Sequence, residues 1–122
     1  MHKILIIDDE ETLLANIGDF LKARGYEVLI SGNGKDGVEI IKSENPELLL
    51  LDLHLKEGPT GIQILRVAKT INPDLKVIVL TGFGEEEDAR KECISLGASN
   101  FMSKPASLRE LIEIIENLFK EA

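Results

Sequence analysis

Glu47-Leu48-Leu49-Leu50-Leu51-Asp52 is the stretch that decides the fold of this 122-residue chain. Four consecutive leucines end at a carboxylate. A short and wholly apolar run of this kind predicts a strand buried on both faces of a parallel sheet. Ligands bind at the carboxyl edge of such sheets. We therefore expect the strand to deliver Asp52 to a functional edge.

Four more apolar runs predict strands, and a segment with helical spacing follows each strand. The predicted strands cover residues 3–7, 26–30, 48–52, 75–80 and 98–102. Gly25 and Gly97 are expected to end the first and fourth helices, and Ser107-Leu108-Arg109-Glu110 matches a capping box that opens the fifth. Alternating strands and helices predict an α/β fold, a doubly wound parallel five-stranded sheet with right-handed crossovers.

Net charge, cysteine content and the lengths of the apolar runs argue against several classes of protein. A formal net charge of -8 argues against general binding to nucleic acid or to an anionic membrane, because phosphate groups attract Lys and Arg. The single cysteine, Cys93, excludes an internal disulfide and fits a reducing compartment. No run is long enough to span a membrane, and Met1 leads directly into a strand-like run without a signal peptide. We expect one cytoplasmic domain over residues 1–122.

Polar residues stand at the carboxyl ends of four of the predicted strands. They are Asp8 and Asp9, Asp52, Thr81, and Lys104. Parallel strands present these ends at one edge of the sheet. If the first and third strands are neighbours, three carboxylates meet there, and like charges this close need protonation or a bridging cation. Mg²⁺, which prefers oxygen ligands, meets that need, and a hydroxyl and an ammonium then complete a site for a phosphoryl group.

This set of residues resembles the receiver domain of bacterial two-component response regulators. The motifs that carry the resemblance are Asp8-Asp9, Asp52 after an apolar strand, Thr81-Gly82, and Lys104-Pro105 with Phe101 three residues earlier. The resemblance covers the whole chain and implies the flavodoxin-like receiver fold, with strand order 2-1-3-4-5. It implies phosphorelay signal transduction, with a sensor histidine kinase or a phosphotransfer protein as the partner.

The resemblance also implies a role for each site residue. Asp52 would accept the phosphoryl group from a phosphohistidine and form an aspartyl phosphate. Asp9 and Asp52 would bind Mg²⁺ together with the backbone carbonyl of His54, and Asp8 would act through a bound water. Lys104 would neutralise one phosphoryl oxygen. Such a protein catalyses only its own phosphorylation and dephosphorylation and is otherwise not an enzyme.

The resemblance implies a conformational signal as well. Thr81 would move toward the phosphoryl group and Phe101 would turn inward, which would change the surface of the fourth helix, fifth strand and fifth helix. That surface would contact a downstream effector, an output domain or, on phosphorylation, a second copy of the chain. The Lys104–Pro105 peptide is expected to be cis.

The loop after Asp52 departs from the family pattern. The family commonly has proline four residues after the aspartate and glycine eight after it. This chain has Lys56 and Thr60 at those places, and Gly61 follows. The loop is therefore expected to be one residue longer, with Gly58-Pro59 forming the turn.

Three alternatives remain open at this level. Asp52-Leu53-His54 begins a cobalamin-binding pattern, but Glu57 stands where that pattern needs glycine. A flavodoxin-like FMN carrier would need a phosphate cradle after the first strand, where this chain has four acids. The third alternative is a receiver-like binding module that takes no phosphate, against which the complete set of site residues argues.

Overall fold

The computed structural model describes residues 1–82, 87–104 and 107–120. Within them, strands and helices alternate along the chain. The strands are β1 (Lys3–Ile7), β2 (Glu27–Ser31), β3 (Leu48–Asp52), β4 (Lys76–Thr81) and β5 (Asn100–Ser103). The helices are α1 (Glu11–Ala23), α2 (Gly34–Glu44), α3 (Gly61–Ile71), α4 (Glu87–Ser95) and α5 (Leu108–Lys120). None of the helices in these ranges is long and apolar enough to cross a membrane.

The five strands form one parallel sheet in the order β2-β1-β3-β4-β5. This confirms the predicted doubly wound α/β fold. β3 lies at the centre, and Leu48 to Leu51 are each 0% exposed. Ile7 pairs with Leu51, so Asp8 and Asp52 both follow the last pair of β1 and β3.

Two apolar cores cover the two faces of the sheet, and successive leucines of β3 alternate between them. Leu49 and Leu51 pack in the core under α2, α3 and α4. Leu48 and Leu50 pack in the core under α1 and α5. Side chains on a strand point to opposite faces, so a strand covered on both sides must be apolar throughout. This is why β3 has leucine at four successive positions.

Glycines end two helices as predicted. Gly25 (φ +93°) and Gly97 (φ +104°) adopt the left-handed backbone conformation just after α1 and α4. The backbone N–H of Gly25 donates to Lys22 O at 3.0 Å, and the N–H of Tyr26 donates to Leu21 O at 3.2 Å. This pair of bonds is the Schellman motif, which satisfies the last carbonyls of a helix.

Three predicted strands begin later in the structure. An apolar residue starts each predicted strand, but its backbone N–H is already used by the preceding helix end or turn. These bonds join Tyr26 N to Leu21 O, Leu75 N to Asn72 O, and Ala98 N to Cys93 O. The observed strands begin one residue later, at Glu27 and Lys76, for this reason. β5 begins at Asn100, although the N–H of Ser99 already donates to Val77 O at 2.7 Å.

At the last helix, Ser107 Oγ accepts the backbone N–H of Glu110 at 3.3 Å, which is the capping bond that the sequence predicts.

Candidate functional site

Three carboxylates meet at the carboxyl edge of the sheet. Asp8, Asp9 and Asp52 each offer an oxygen, and these oxygens lie within 4.8 Å of one another. Asp8 is 2% exposed and Asp52 is 4% exposed, whereas Asp9 is half-buried. The predicted convergence of the ends of β1 and β3 is therefore found. The sheet order causes it, because β1 and β3 are neighbours.

Lys104 brings the positive charge to this cluster from the end of β5. Its Nζ lies 2.6 Å from Asp8 Oδ2 and 3.4 Å from Asp52 Oδ1. Burial alone would lower the pKa of the Lys104 ammonium, but its hydrogen bond to Asp8 and the charges of Asp8 and Asp52 raise the pKa overall. Lys104 is thus held in its charged form between the two buried carboxylates.

The Asp52 carboxylate accepts a backbone hydrogen bond, but its surroundings disfavour its charged form. The backbone N–H of His54 donates to Asp52 Oδ1 at 3.1 Å. Burial raises the pKa of Asp52, and the nearby charge of Asp8 adds to this, while the His54 bond and Lys104 oppose it. The net effect is a carboxylate whose negative charge would be stabilised by a further cation.

Thr81 lies at the end of β4, fully buried beside the cluster. Asp52 pairs with Leu80, so Thr81 stands one residue beyond the level of Asp52. Thr81 also pairs with Ser103, and its carbonyl accepts the backbone N–H of Lys104 at 2.6 Å. The ends of β4 and β5 are therefore joined where the sequence places the hydroxyl and the ammonium.

The loop from Leu53 to Thr60 closes one side of the site. Gly58 has φ +75°, which fits the predicted turn at Gly58-Pro59. Thr60 forms a complete capping box with Gln63 and starts α3. The sequence Thr60-Gly61-Ile62-Gln63 carries the signal for this box, but the residues through Thr60 were predicted as loop only.

Gly61 makes the close approach in this loop. A Cβ atom at residue 61 would lie 2.6 Å from both the Cα and the carbonyl oxygen of Leu53. Position 61 therefore requires a residue without a side chain, and the extra residue in the loop stays a prediction.

One contact of the loop was not predicted. The backbone N–H of Lys56 donates to Asp9 Oδ2 at 2.8 Å. Every residue except proline carries such a donor, so the sequence contains no signal for this bond beyond the absence of proline at position 56.

Phe101 and Pro105 complete the predicted set. Phe101 is partly buried against the core that contains α2, α3 and α4, and it pairs with Val79 in the sheet. Its role as a switch stays a prediction. The predicted cis peptide falls on Pro105, which lies outside the described residues.

The charges of the cluster fit a divalent cation. Three carboxylates face one ammonium among the described residues, which leaves an excess of two negative charges. The donors are oxygen atoms, which Mg²⁺ prefers. The His54 carbonyl as a ligand and the water on Asp8 stay predictions.

Comparison with known proteins agrees with this geometry. The family model for the response regulator receiver domain matches residues 4–116. The chain is 32% identical to sporulation initiation phosphotransferase F of Bacillus subtilis, over 94% of this chain and 91% of that protein.

Solved receiver structures overlay closely on the chain. A receiver domain protein from Clostridium thermocellum matches with a TM-score of 0.90 and 33% identity, covering 99% of this chain and 96% of that one. A receiver domain protein from Methanospirillum hungatei matches with a TM-score of 0.91 and 30% identity, covering 100% of this chain and 99% of that one. Three further relatives are longer, and this chain spans 28%, 33% and 59% of their length. With the fold, the site and these relatives in agreement, the chain belongs to the response regulator receiver domain family, whose members act in two-component phosphorelay signalling.

Proposed function

We propose that Asp52 is the phosphoacceptor of this receiver domain and that residues 1–122 form one such domain. Phosphorelay signalling follows from the family; the role of each residue is the proposal. The observation that carries it is the meeting of Asp8, Asp9 and Asp52 within 4.8 Å beside the ammonium of Lys104. This arrangement suits an anionic phosphoryl group that binds together with a cation, because the cation offsets the negative charges of both the phosphoryl group and the carboxylates.

The proposed cation is Mg²⁺, held by Asp9, Asp52 and the backbone carbonyl of His54, with Asp8 acting through a water. When bound, Mg²⁺ would offset negative charge on the phosphoryl oxygens. The excess of two negative charges in the cluster supports a divalent ion.

In the proposed reaction, a carboxylate oxygen of Asp52 attacks the phosphorus of a phosphohistidine. An oxygen–phosphorus bond forms as the phosphorus–nitrogen bond breaks, and the bonding electron pair stays on the imidazole of the partner. Phosphoryl transfer depends chiefly on positioning and on neutralisation of the phosphoryl oxygens. The Lys104 ammonium neutralises one phosphoryl oxygen, and the Thr81 hydroxyl donates a hydrogen bond to another. Hydrolysis of the acyl phosphate by water returns Asp52 to the free carboxylate and releases inorganic phosphate. We propose no other enzymatic activity for the chain.

The partners in this proposal are a sensor histidine kinase or a phosphotransfer protein. The signal passes through α4, β5 and α5 as Thr81 and Phe101 move, and it reaches an effector, an output domain or, on phosphorylation, a second copy of the chain. We place the protein in the cytoplasm, which the free and buried Cys93 fits.

Intact-protein mass spectrometry tests the proposal. Acetyl phosphate with Mg²⁺ should add one phosphoryl group, labile to base, to the parent protein. Asp52→Asn should gain none. Asp19→Asn is the matched control, because Asp19 is an exposed carboxylate on α1, and it should gain the same group as the parent.

No mass gain in the parent protein would sink the proposal and favour a binding module that takes no phosphate. A gain by Asp52→Asn equal to that of the parent would assign the acceptor to another residue.

A further inference from the structure

The loop after β3 touches the site through its backbone. The N–H of Lys56 donates to Asp9 Oδ2 at 2.8 Å, between residues 47 positions apart in the sequence. An ionised carboxylate has two acceptor oxygens, so this bond leaves the other oxygen of Asp9 for a cation. Hydrogen bonds to charged groups are stronger than neutral ones. This single bond therefore restrains a side chain that is only half-buried.

We infer that the backbone N–H of residue 56 is a positioning group for Mg²⁺ binding, an inference that rests on the function proposed above. The bond holds the Asp9 carboxylate where one of its oxygens lies within 4.8 Å of oxygens of Asp8 and Asp52. A ligand already held in place loses less rotamer freedom when the ion binds. Hydrogen-bond partners of metal ligands control metal affinity for the same reason.

The side chain of Lys56 is not the source of this effect. It is exposed, and the donor is the main-chain N–H, which alanine would keep. Proline, which the family pattern commonly has at this place, has no N–H to donate. The positioning bond thus depends on the departure of this chain from that pattern.

The test compares Lys56→Pro with Lys56→Ala. Mg²⁺ is titrated into each ¹⁵N-labelled protein, and the dissociation constant is read from amide shifts of residues beside the site. Lys56→Pro should bind Mg²⁺ about tenfold more weakly than the parent, the lower end of the usual effect of losing a hydrogen-bond partner of a metal ligand. Lys56→Ala removes only an exposed charge and should change the constant by less than about threefold.

Phosphorylation adds a readout that separates positioning from general damage. With saturating Mg²⁺, the rate of phosphoryl gain from acetyl phosphate should return to the parent value in Lys56→Pro. If the substitution merely disorders the site, phosphorylation of Lys56→Pro would stay slow at every Mg²⁺ concentration. Such a result would overturn the positioning role.

Proline also restricts the residue before it, so a second variant protects the test from misfolding. The α-hydroxy analogue of lysine at position 56 replaces the N–H by an ester oxygen and leaves the backbone angles free. It should weaken Mg²⁺ binding as the proline does. Binding as tight as the parent's, or tighter, in this ester variant overturns the inference while the proposed function stands. Failure of the parent to bind Mg²⁺ would overturn both.

Discussion

Gly61→Ala should destabilise the domain through one defined collision. The added Cβ would lie 2.6 Å from Leu53 Cα and 2.8 Å from the carbonyl oxygen of Asp52. Carbon atoms in ordinary contact are about 3.5–4.0 Å apart, so the start of α3 must move by roughly 1 Å. The colliding atoms belong to the backbone and cannot turn away as a side chain would. The hydrogen bond from Gly61 N–H to Leu53 O, at 3.3 Å, opposes the movement.

The size of the effect follows from two opposing contributions. Overpacking of this kind costs about 1–3 kcal/mol. Replacing glycine by alanine stiffens the unfolded chain and returns about 0.4–1 kcal/mol. The net loss in the free energy of unfolding should be about 1–2 kcal/mol, which lowers the melting temperature of a domain of this size by about 4–8 °C.

Urea denaturation followed by circular dichroism measures this loss, since the chain has no tryptophan. The matched control is Gly32→Ala, because among the described residues a Cβ at residue 32 would meet only Asp8 O, at 4.0 Å. Its free energy of unfolding should stay within about 0.5 kcal/mol of the parent's. If Gly61→Ala is as stable as Gly32→Ala, then α3 can retreat from β3 without cost, and the reasoning about the close approach is wrong.

Two further predictions concern titratable groups. Without divalent cations and at neutral pH, Asp52→Asn should melt at a higher temperature than the parent. Burial raises the pKa of Asp52, so at neutral pH the fold carries an unfavourable carboxylate, and this cost disappears as the pH falls through that raised pKa and Asp52 is protonated. Thermal melts from about pH 7 down to about pH 4 should show the difference shrinking, and a constant difference would contradict this explanation. Cys93, whose pKa burial raises to about 11, should react with a thiol reagent at pH 8 roughly 100-fold more slowly than in the denatured chain, because its thiolate is scarce and it is 0% exposed. Equal labelling rates with and without denaturant would show that α4 opens freely.

The architecture was predictable because buried parallel strands leave a clear mark in sequence. The leucines of β3 and the glycines after α1 and α4 each have one physical use, and the structure has them in that use. Strand boundaries were less predictable. Tyr26, Leu75 and Ala98 are apolar like strand residues, but local helix ends and turns take their N–H groups. The pattern of apolar residues does not show whether a backbone N–H bonds to the sheet or to a nearby helix end or turn.

The functional site likewise has features that the sequence predicts and features that it does not. The side chains at the strand ends were predictable because parallel strands present their carboxyl ends at one edge. That Lys104 lies nearer to Asp8 than to Asp52 was not predicted, since it depends on side-chain rotamers. The bond from the Lys56 backbone to Asp9 was out of reach, because a main-chain donor is nearly the same in every residue.

The complete burial of β3 has a consequence for hydrogen exchange. Amide hydrogens in a central strand covered on both faces exchange only through opening of the whole domain. The proposed phosphoacceptor is the last residue of that strand, so its backbone belongs to the slowest-exchanging unit of the molecule. Changes that follow phosphorylation should therefore appear as altered exchange in the loops from Leu53 onward and at the ends of β4 and β5. The leucine amides of β3 would change in protection only by as much as phosphorylation changes the free energy of global unfolding.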